Sequence, residues 1–243
     1  MEQPPIGPPA ELAREERVPF GWLARLLGKG LALYVRLVAR TARISGPPVT
    51  PGQVVFAIWH ESNLVAAAAA YRLRREQEHV SFSTRRFRGI VMNNMLSGLG
   101  WGAVTLPDPN SPTSRAEATS VSRAMARVGR EGKSLVVSCD GPVGPYRVAK
   151  PGVLIVARES GVPVLPWAVA IRPALRLTRR WDRQLVPLPF CRMRVDEAPL
   201  IQIGPRERIK PVLERLQAEL ERIAELSDRR MTGRRSGDRP AAG

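Results

Sequence analysis

The sequence predicts an α/β fold, with a largely parallel central sheet flanked by helices and an N-terminal amphipathic helix. Apolar runs rich in β-branched residues are typical of buried strands, and they occur at residues 54–59, 134–139 and 162–171. Shorter runs of the same kind lie at residues 79–83 and 103–106. Helical segments alternate with them, at residues 64–71, 90–99, 114–130 and 151–160. Strands and helices that alternate in this way form parallel sheets with helices on the faces.

Composition divides the 243 residues into four stretches. Residues 1–19 are proline-rich and then mixed in charge, which indicates a flexible leader without a signal peptide. Residues 20–44 have the pattern of a basic amphipathic helix, and residues 45–226 contain the alternating strands and helices. Residues 227–243 are basic and contain glycine and proline, so we expect a disordered tail.

The predicted N-terminal helix has an apolar side and a basic side. The apolar residues that recur at the helical period are Leu23, Leu26, Leu27, Leu31, Tyr34, Leu37 and Val38. The basic residues on the other side are Arg25, Lys29, Arg36, Arg40 and Arg43. These charges argue against a membrane-spanning helix. Two interpretations remain, a helix at the bilayer interface and a surface helix packed on the domain, and one helix can do both.

The net charge of +16 predicts binding to a polyanion, such as nucleic acid, anionic lipid headgroups or an acidic carrier protein. No zinc-ligand spacing, RNA-binding aromatic motif or recognition-helix signature accompanies the charge, so nucleic-acid binding is the weaker alternative. Cys139 and Cys191 are too few for a disulfide framework, which favours a reducing compartment.

A histidine follows the first apolar run directly. His60 lies between the predicted strand and the alanine-rich helix, where free backbone N–H groups leave room for a ligand. It is the first candidate for acid/base chemistry, although a histidine in this place can also be a core residue bonded to the backbone. Arg85 and Asp140 also come directly after predicted strands. Because ligand sites form at the carboxyl ends of parallel strands, we expect these three residues to converge.

The loop after Asp140, with the sequence SCDGPVGPYRVAKPGV, is rich in glycine and proline. Gly141, Pro142 and Gly144 make a rigid turn whose backbone can approach a substrate. Arg147 and Lys150 add positive charge, and the helix that follows adds the dipole of its N-terminus. The glycine spacing is not that of a P-loop. The loop is therefore a candidate phosphate site, or a tight connection between a strand and a helix.

Three segments resemble the lysophospholipid acyltransferase superfamily, namely FAIWH, CDGPVGPYRVAKPGVLIVARESGVPVLPWAVA and RLTRRWDRQLVPLPF. The resemblance covers residues 39–202 and is similar to a little-characterised bacterial branch of the superfamily. It implies the transfer of a fatty acyl group from acyl-CoA or acyl-carrier protein to a hydroxyl of a lysophospholipid or related lipid acceptor. It implies neither a metal nor a cofactor beyond that acyl donor, and it places the protein peripherally on the cytoplasmic face of an anionic membrane.

The resemblance also implies roles for residues. In the superfamily, the histidine of an H-x-x-x-x-D motif is the general base and the aspartate orients it. His60 matches the histidine, but Val65 occupies the aspartate position. Glu61 and Asp140 are then the candidate acidic partners. We expect the substrate to contact residues of the basic and glycine-rich loops, namely Arg85, Gly141, Pro142, Gly144, Arg147 and Lys150.

Two other outcomes are open at this point. The missing aspartate is also consistent with a catalytically impaired member that binds lipid or acyl chains. Cys139 paired with His60 would allow a covalent acyl-enzyme, although a cysteine at the end of a buried strand is more often inert.

The remaining sequence has weaker signals. Residues 172–190, dense in arginine and proline, indicate a surface excursion. Residues 191–195 and 200–203 have the pattern of short strands. A last helix is expected from residue 205, and its apolar stripe consists of Ile209, Leu213, Leu216, Leu220 and Ile223.

Overall fold

The computed structural model describes residues 20–47, 50–74, 76–84, 87–106 and 115–232. Within these residues, seven strands form one sheet in the order β1-β7-β6-β2-β5-β3-β4. The strands are β1 (Arg43–Ser45), β2 (Val55–Ile58), β3 (His79–Thr84), β4 (Gly102–Leu106), β5 (Ser134–Ser138), β6 (Val164–Arg176) and β7 (Leu185–Glu197). Neighbouring strands are parallel except for β6 and β7. The predicted α/β class is confirmed.

Helices cover both faces of the sheet. They are α1 (Gly21–Thr41), α2 (Asn63–Leu73), α3 (Phe87–Gly98), α4 (Arg115–Arg130), α5 (Gly152–Ser160) and α6 (Ile209–Thr232). One apolar core lies between the sheet and α1, α2 and α3. A second core lies on the opposite face, where α5 and α6 pack. The consecutive buried residues of β2 are divided between the two cores, which explains why this strand is apolar throughout.

The region predicted as a surface excursion is a long antiparallel hairpin instead. Strands β6 and β7 each have thirteen residues, and they pair from Trp167 opposite Glu197 to Arg176 opposite Leu185. In β7, Cys191, Met193 and Val195 point into the first core, while the arginines between them point to the other face. Arginine and proline conceal this alternation in the sequence, so the prediction was wrong for the strand parts of residues 172–190.

Helix α1 is buried on a side that the sequence pattern did not indicate. Its buried residues are Ala24, Gly28, Ala32, Val35, Val38 and Ala39. A Cβ added at Gly28 would lie 2.5 Å from the Cβ of Asn94, and one added at Gly98 would lie 2.5 Å from the Cβ of Ala32. The small residues therefore let α1 and α3 approach closely. Most of the predicted leucine stripe is left partly or largely exposed.

Helix α6 extends beyond the predicted boundary at residue 226. It is helical to Thr232, and the buried Ser227 donates a hydrogen bond to Asp196 at 2.9 Å. The tail prediction was therefore wrong for residues 227–232. The predicted leader (1–19), the loop at 107–112, Arg85 and the rest of the tail lie outside the described residues. No helix in the described part of the chain is both long enough and apolar enough to cross a membrane.

Candidate active site

His60 and Asp140 meet because their strands are neighbours in register. Ile58 at the end of β2 pairs with Ser138 at the end of β5, and each polar residue lies two positions further on. The His60 backbone N–H donates a hydrogen bond to Asp140 Oδ1 at 2.9 Å. His60 begins a short 3₁₀ turn, His60–Ser62, that leads into α2. The convergence expected from strand order therefore occurs for these two residues.

The carboxylate that faces the His60 ring belongs to Asp182, in the turn between β6 and β7. His60 Nε2 lies 3.8 Å from Asp182 Oδ2, and the ring packs against Trp181 with centroids 5.2 Å apart. Asp182 is fully buried. Arg180 donates hydrogen bonds to both of its oxygens, at 2.8 and 2.7 Å. The hairpin thus brings an acid to the histidine from 122 residues away in sequence.

The environment shifts the pKa of both His60 and Asp182. Burial lowers the pKa of His60 below its usual value, Asp182 opposes that shift, and Arg180 adds to it. Burial by itself would raise the pKa of Asp182, but the hydrogen bonds and charge of Arg180, with the nearby His60, hold it below its usual value. His60 is therefore neutral and Asp182 ionised near pH 7. This combination suits a base whose protonated form is stabilised by an adjacent anion.

Asp140 binds main chain rather than the imidazole. Its two oxygens accept the backbone N–H groups of His60 and of Arg147, the latter at 3.3 Å. Burial raises the pKa of Asp140, and these N–H bonds oppose the shift. Asp140 thereby fixes the end of β2 against the glycine-rich loop.

Glu61 is buried and binds groups from two segments, the glycine-rich loop and the β6–β7 hairpin. Arg147 donates from Nε at 2.8 Å and also from a terminal nitrogen, and Arg176 donates at 2.7 Å. The Tyr146 hydroxyl donates at 2.7 Å, and Gln184 donates to the Glu61 main-chain oxygen at 2.8 Å. A buried carboxylate needs such partners. Glu61 therefore connects the 3₁₀ turn, the glycine-rich loop and the β6–β7 hairpin.

The glycine-rich loop packs against the ring that contacts His60. Gly144 has φ of +75°, and a Cβ there would lie 2.7 Å from Trp181 Cε3, so only glycine fits without displacement. Gly141 has φ of +68° and lies against the Lys150 side chain. Pro142 is exposed. Gln217 of α6 holds the far part of the loop, because it accepts from the Ala149 N–H at 2.7 Å and donates to the Arg147 carbonyl at 2.9 Å.

Val65, Cys139 and the second histidine of the chain, His79, are structural. Val65 is fully buried in the first core, where an ionised aspartate would have no polar partner. Cys139 is 2% exposed, and burial raises the pKa of its thiol well above the usual value, which argues against a nucleophilic thiolate. His79 is buried between Phe56 and Trp101, with Nε2 3.3 Å from the Arg74 carbonyl.

A large cavity of about 1750 Å³ opens beside this cluster. Its walls include Trp59 and Glu61, the two sequence neighbours of His60, although His60 itself does not line it. Apolar residues of β6 and β7 line one part, among them Ile171, Ala174 and Leu185. Six arginines and three carboxylates supply most of the charge on its walls. The cavity therefore suits a ligand that has both apolar and anionic parts.

Known proteins resemble this chain in sequence or in fold. No family model matches the chain. An uncharacterised protein of Rickettsia prowazekii is 21% identical over 142 residues, which are 58% of this chain and 61% of that relative, so the match spans about three fifths of its length. The crystal structure of the 1-acyl-sn-glycerophosphate acyltransferase PlsC from Thermotoga maritima superposes with a TM-score of 0.52, over 85% of this chain and 79% of that chain.

The chain has an acyltransferase fold. With 14% identity to PlsC, the likeness concerns the fold alone. It agrees with the fold that the sequence motifs implied. The roles of individual residues therefore depend on the local geometry described above.

Sequence reasoning located much of this cluster and missed its acid. It named His60, Glu61, Asp140 and Arg147, which the structure places together, and Arg85 lies outside the described residues. It assigned no role to Asp182, although the Trp181–Asp182 pair is part of the third resembling segment. The strands at residues 162–171 and 191–195 were predicted, but their continuation through residues 172–190 was not, so nothing indicated that the turn brings this carboxylate to the end of β2.

Proposed function

We propose that the protein is an O-acyltransferase that moves a fatty acyl group from acyl-CoA or acyl-carrier protein to a hydroxyl of a lysophospholipid or related lipid acceptor. The observation that supports this most is the His60–Asp182 pair at the carboxyl end of the sheet, in an acyltransferase fold and beside a large cavity. In this proposal Asp182 takes the part that the missing acid at position 65 plays in the superfamily.

In the reaction, the neutral imidazole of His60 accepts the proton of the acceptor hydroxyl as its oxygen attacks the thioester carbonyl carbon. The tetrahedral intermediate carries the negative charge on the former carbonyl oxygen. When it collapses, the carbon–sulfur bond breaks, and the leaving thiolate takes the proton from His60. Asp182 stabilises the imidazolium between these two steps.

The glycine-rich loop and the Glu61 cluster position the reacting groups. The Gly141 N–H already donates to the Ser138 carbonyl at 3.1 Å, so it is not a donor for the oxyanion. Arg147 and Arg176 both bind Glu61 in the turn, and both line the cavity. Their remaining N–H groups are suited to the oxyanion or to a substrate phosphate.

The exposed side of α1 supports a peripheral position on an anionic membrane. Large apolar side chains on this side are 47–67% exposed, namely Trp22, Leu26, Leu33 and Leu37. Lys29 and Arg40 lie beside them on the helix surface, rather than on the opposite side as the sequence pattern indicated, and are also exposed. Apolar residues bordered by cations suit the headgroup region of a bilayer. Phe190, 77% exposed, donates its N–H to Thr41 at the end of α1 and lines the cavity, so the apolar surface continues to the cavity mouth.

A purified-protein assay tests the proposal. Lysophospholipid is incubated with acyl-CoA or acyl-carrier protein in vesicles, and the diacyl product is measured by mass spectrometry. We expect product with the wild type and a loss of at least about a thousandfold with His60→Ala at unchanged melting temperature. Equal rates for the two proteins would eliminate His60 as the base.

A second function is favoured by one observation, that Glu61 rather than His60 lines the cavity. In that alternative the chain binds a lipid or acyl chain without turnover. Saturable binding of lysophospholipid, with no product from either acyl donor, would support it over the acyltransferase.

A further inference from the structure

Three arginines lie side by side across three neighbouring strands. Arg43 of β1 pairs with Arg192 of β7, and Arg192 pairs with Arg172 of β6. Residues paired in this way share a face of the sheet, and neighbouring strands are about 4.8 Å apart. We call Arg43, Arg192 and Arg172 the arginine ladder. All three side chains are exposed on the face that α6 partly covers.

Like charges opposite each other on a sheet are destabilising, so such an arrangement has a cost. The arginine at the next position on the same face of β7 is neutralised by a carboxylate. There Arg194 and Arg230 both bind the buried Asp196, Arg194 at 3.2 Å. Among the described residues, no carboxylate forms an ion pair with Arg43 or Arg192, and Arg172 has only the electrostatic influence of Asp228.

The ladder forms part of the wall of the large cavity. The facing wall is the end of α6, with Glu225, Asp228 and Arg229, of which Glu225 and Arg229 pair with each other at 2.7 Å. Arg176 lies four residues beyond Arg172 on β6, past a register irregularity between Arg172 and Ala174, so the usual rise of a strand makes their separation at most about 13 Å. Arg176 binds Glu61, next to His60. The ladder and Glu61, the sequence neighbour of His60, therefore both line one cavity, with Arg176 between them.

We infer that the arginine ladder is a binding site for phosphate groups of a substrate whose reacting part lies at His60. Arginine suits phosphate because its planar guanidinium donates two parallel hydrogen bonds to two oxygens. Three adjacent guanidinium groups suit a ligand with more than one phosphate. This inference rests on the proposed acyl transfer, since that reaction supplies the phosphorylated substrates.

Two substrates of that reaction contain phosphate. In a lysophospholipid only the glycerol separates the phosphate from the reacting hydroxyl. In coenzyme A, an arm with two amide units separates the phosphates from the thioester. The span of up to about 13 Å along β6, with two further strands to Arg43, fits the longer connection better. The geometry therefore favours the nucleotide phosphates of an acyl-CoA donor.

Calorimetric binding of coenzyme A tests the site without turnover. The variant is Arg43→Gln/Arg192→Gln. The control is Arg206→Gln/Arg215→Gln, which removes the same charge from exposed positions that do not line the cavity. We expect the ladder variant to raise the Kd at least about tenfold, and the control to change it less than about twofold. Pantetheine, which lacks the phosphates, should bind both variants alike.

A second measurement distinguishes the source of the phosphate. At fixed donor, the KM for lysophosphatidate is compared with the KM for monoacylglycerol, which has no phosphate. A ladder variant that raises only the lysophosphatidate KM and leaves coenzyme A binding unchanged assigns the site to the acceptor phosphate. If neither quantity changes, or if the wild type binds neither phosphorylated ligand, the inference is overturned.

The two proposals can fail separately. Ladder-dependent binding of coenzyme A by a protein that forms no product would contradict the acyltransferase proposal and leave the anion site intact. If product forms, and the ladder variant changes neither the Kd for coenzyme A nor the KM for the acceptor, the anion site is contradicted and the acyltransferase proposal stands. Circular dichroism of both double variants verifies that they are folded.

Discussion

The two histidines of the chain lie at opposite ends of two strands, β2 and β3, which flank β5 in the sheet, and they differ in what surrounds them. His79, at the start of β3, is enclosed by Phe56 and Trp101 and contacts a main-chain carbonyl. His60, just beyond the end of β2, faces Asp182 and has a quarter of its side chain exposed. Burial lowers the pKa of both. A facing carboxylate makes His60 a candidate base, whereas enclosure by aromatic rings makes His79 part of the core.

The largest expected effect is on turnover and comes from Asp182, the carboxylate that distinguishes the surroundings of His60 from those of His79. Asp182→Asn keeps the shape of the side chain and removes the charge that stabilises the imidazolium. We expect kcat to fall by about 10²–10⁴-fold. Since Asp182 raises the pKa of His60, the acid limb of the kcat/KM profile should also move to lower pH. An unchanged pH profile with full activity would remove Asp182 from the mechanism.

The next effect concerns stability at the other histidine. The pKa of His79 is lowered to about 4 in the folded protein, against an ordinary value of 6.5. The unfolded chain therefore binds the proton more readily, and stability should decrease as the pH falls from about 6.5 to about 4. The loss attributable to this residue is at most about 3 kcal/mol.

Urea denaturation at several pH values measures this effect, with His79→Gln as the reference. The wild type should lose more stability than the variant across this pH range. Equal slopes for the two proteins would contradict the burial of a neutral imidazole at position 79. His60 should show its effect in activity instead, with an acid limb whose midpoint lies below 6.5.

A smaller effect on stability and kcat is expected at Gly144, where the glycine-rich loop packs against the ring that contacts His60. Gly144→Ala places a Cβ against Trp181 at a positive φ, so we expect a loss of about 1–3 kcal/mol in stability and a reduced kcat. Gly152→Ala is the matched control, because a Cβ there meets nothing within 4 Å and φ is not positive. Thermal melts and turnover of both variants are compared. Equal behaviour would mean that the loop does not position Trp181.

The smallest effect on the folded domain should come from α1. Leu26→Ser/Leu33→Ser changes two exposed side chains, so stability should stay within about 0.5 kcal/mol of the wild type. Binding to anionic vesicles in a flotation assay should weaken at least about tenfold. Leu200→Ser, also exposed but outside α1, should bind as the wild type does. Equal flotation of all three proteins would exclude α1 as the membrane contact.

The parts of the fold that depend on local sequence pattern could be predicted from the sequence. The apolar runs at β2, β5 and β6 are read from consecutive residues, and parallel register then brings Asp140 to His60. The strand parts of residues 172–190 were missed because the arginines occupy one face of a strand whose other face is buried. Asp182 was missed with them. Its position depends on the length and pairing of two strands, which no motif specifies.

The burial of α1 was mispredicted for a different reason. Leucines give the stronger periodic signal, but Gly28 and Ala32 allow the closer approach to α3, and shape decides the packing. Hydrophobicity indicates which side chains avoid water, but it does not indicate against which of them another helix can pack.

The exposed leucines of α1 also affect the behaviour of the protein during purification. Trp22, Leu26, Leu33 and Leu37 present an apolar strip to the buffer, and Phe190 extends it. We expect purified protein to be colloidally unstable at high salt, where repulsion between molecules of net charge +16 is screened. Mild detergent or short-chain lipid should keep it monodisperse.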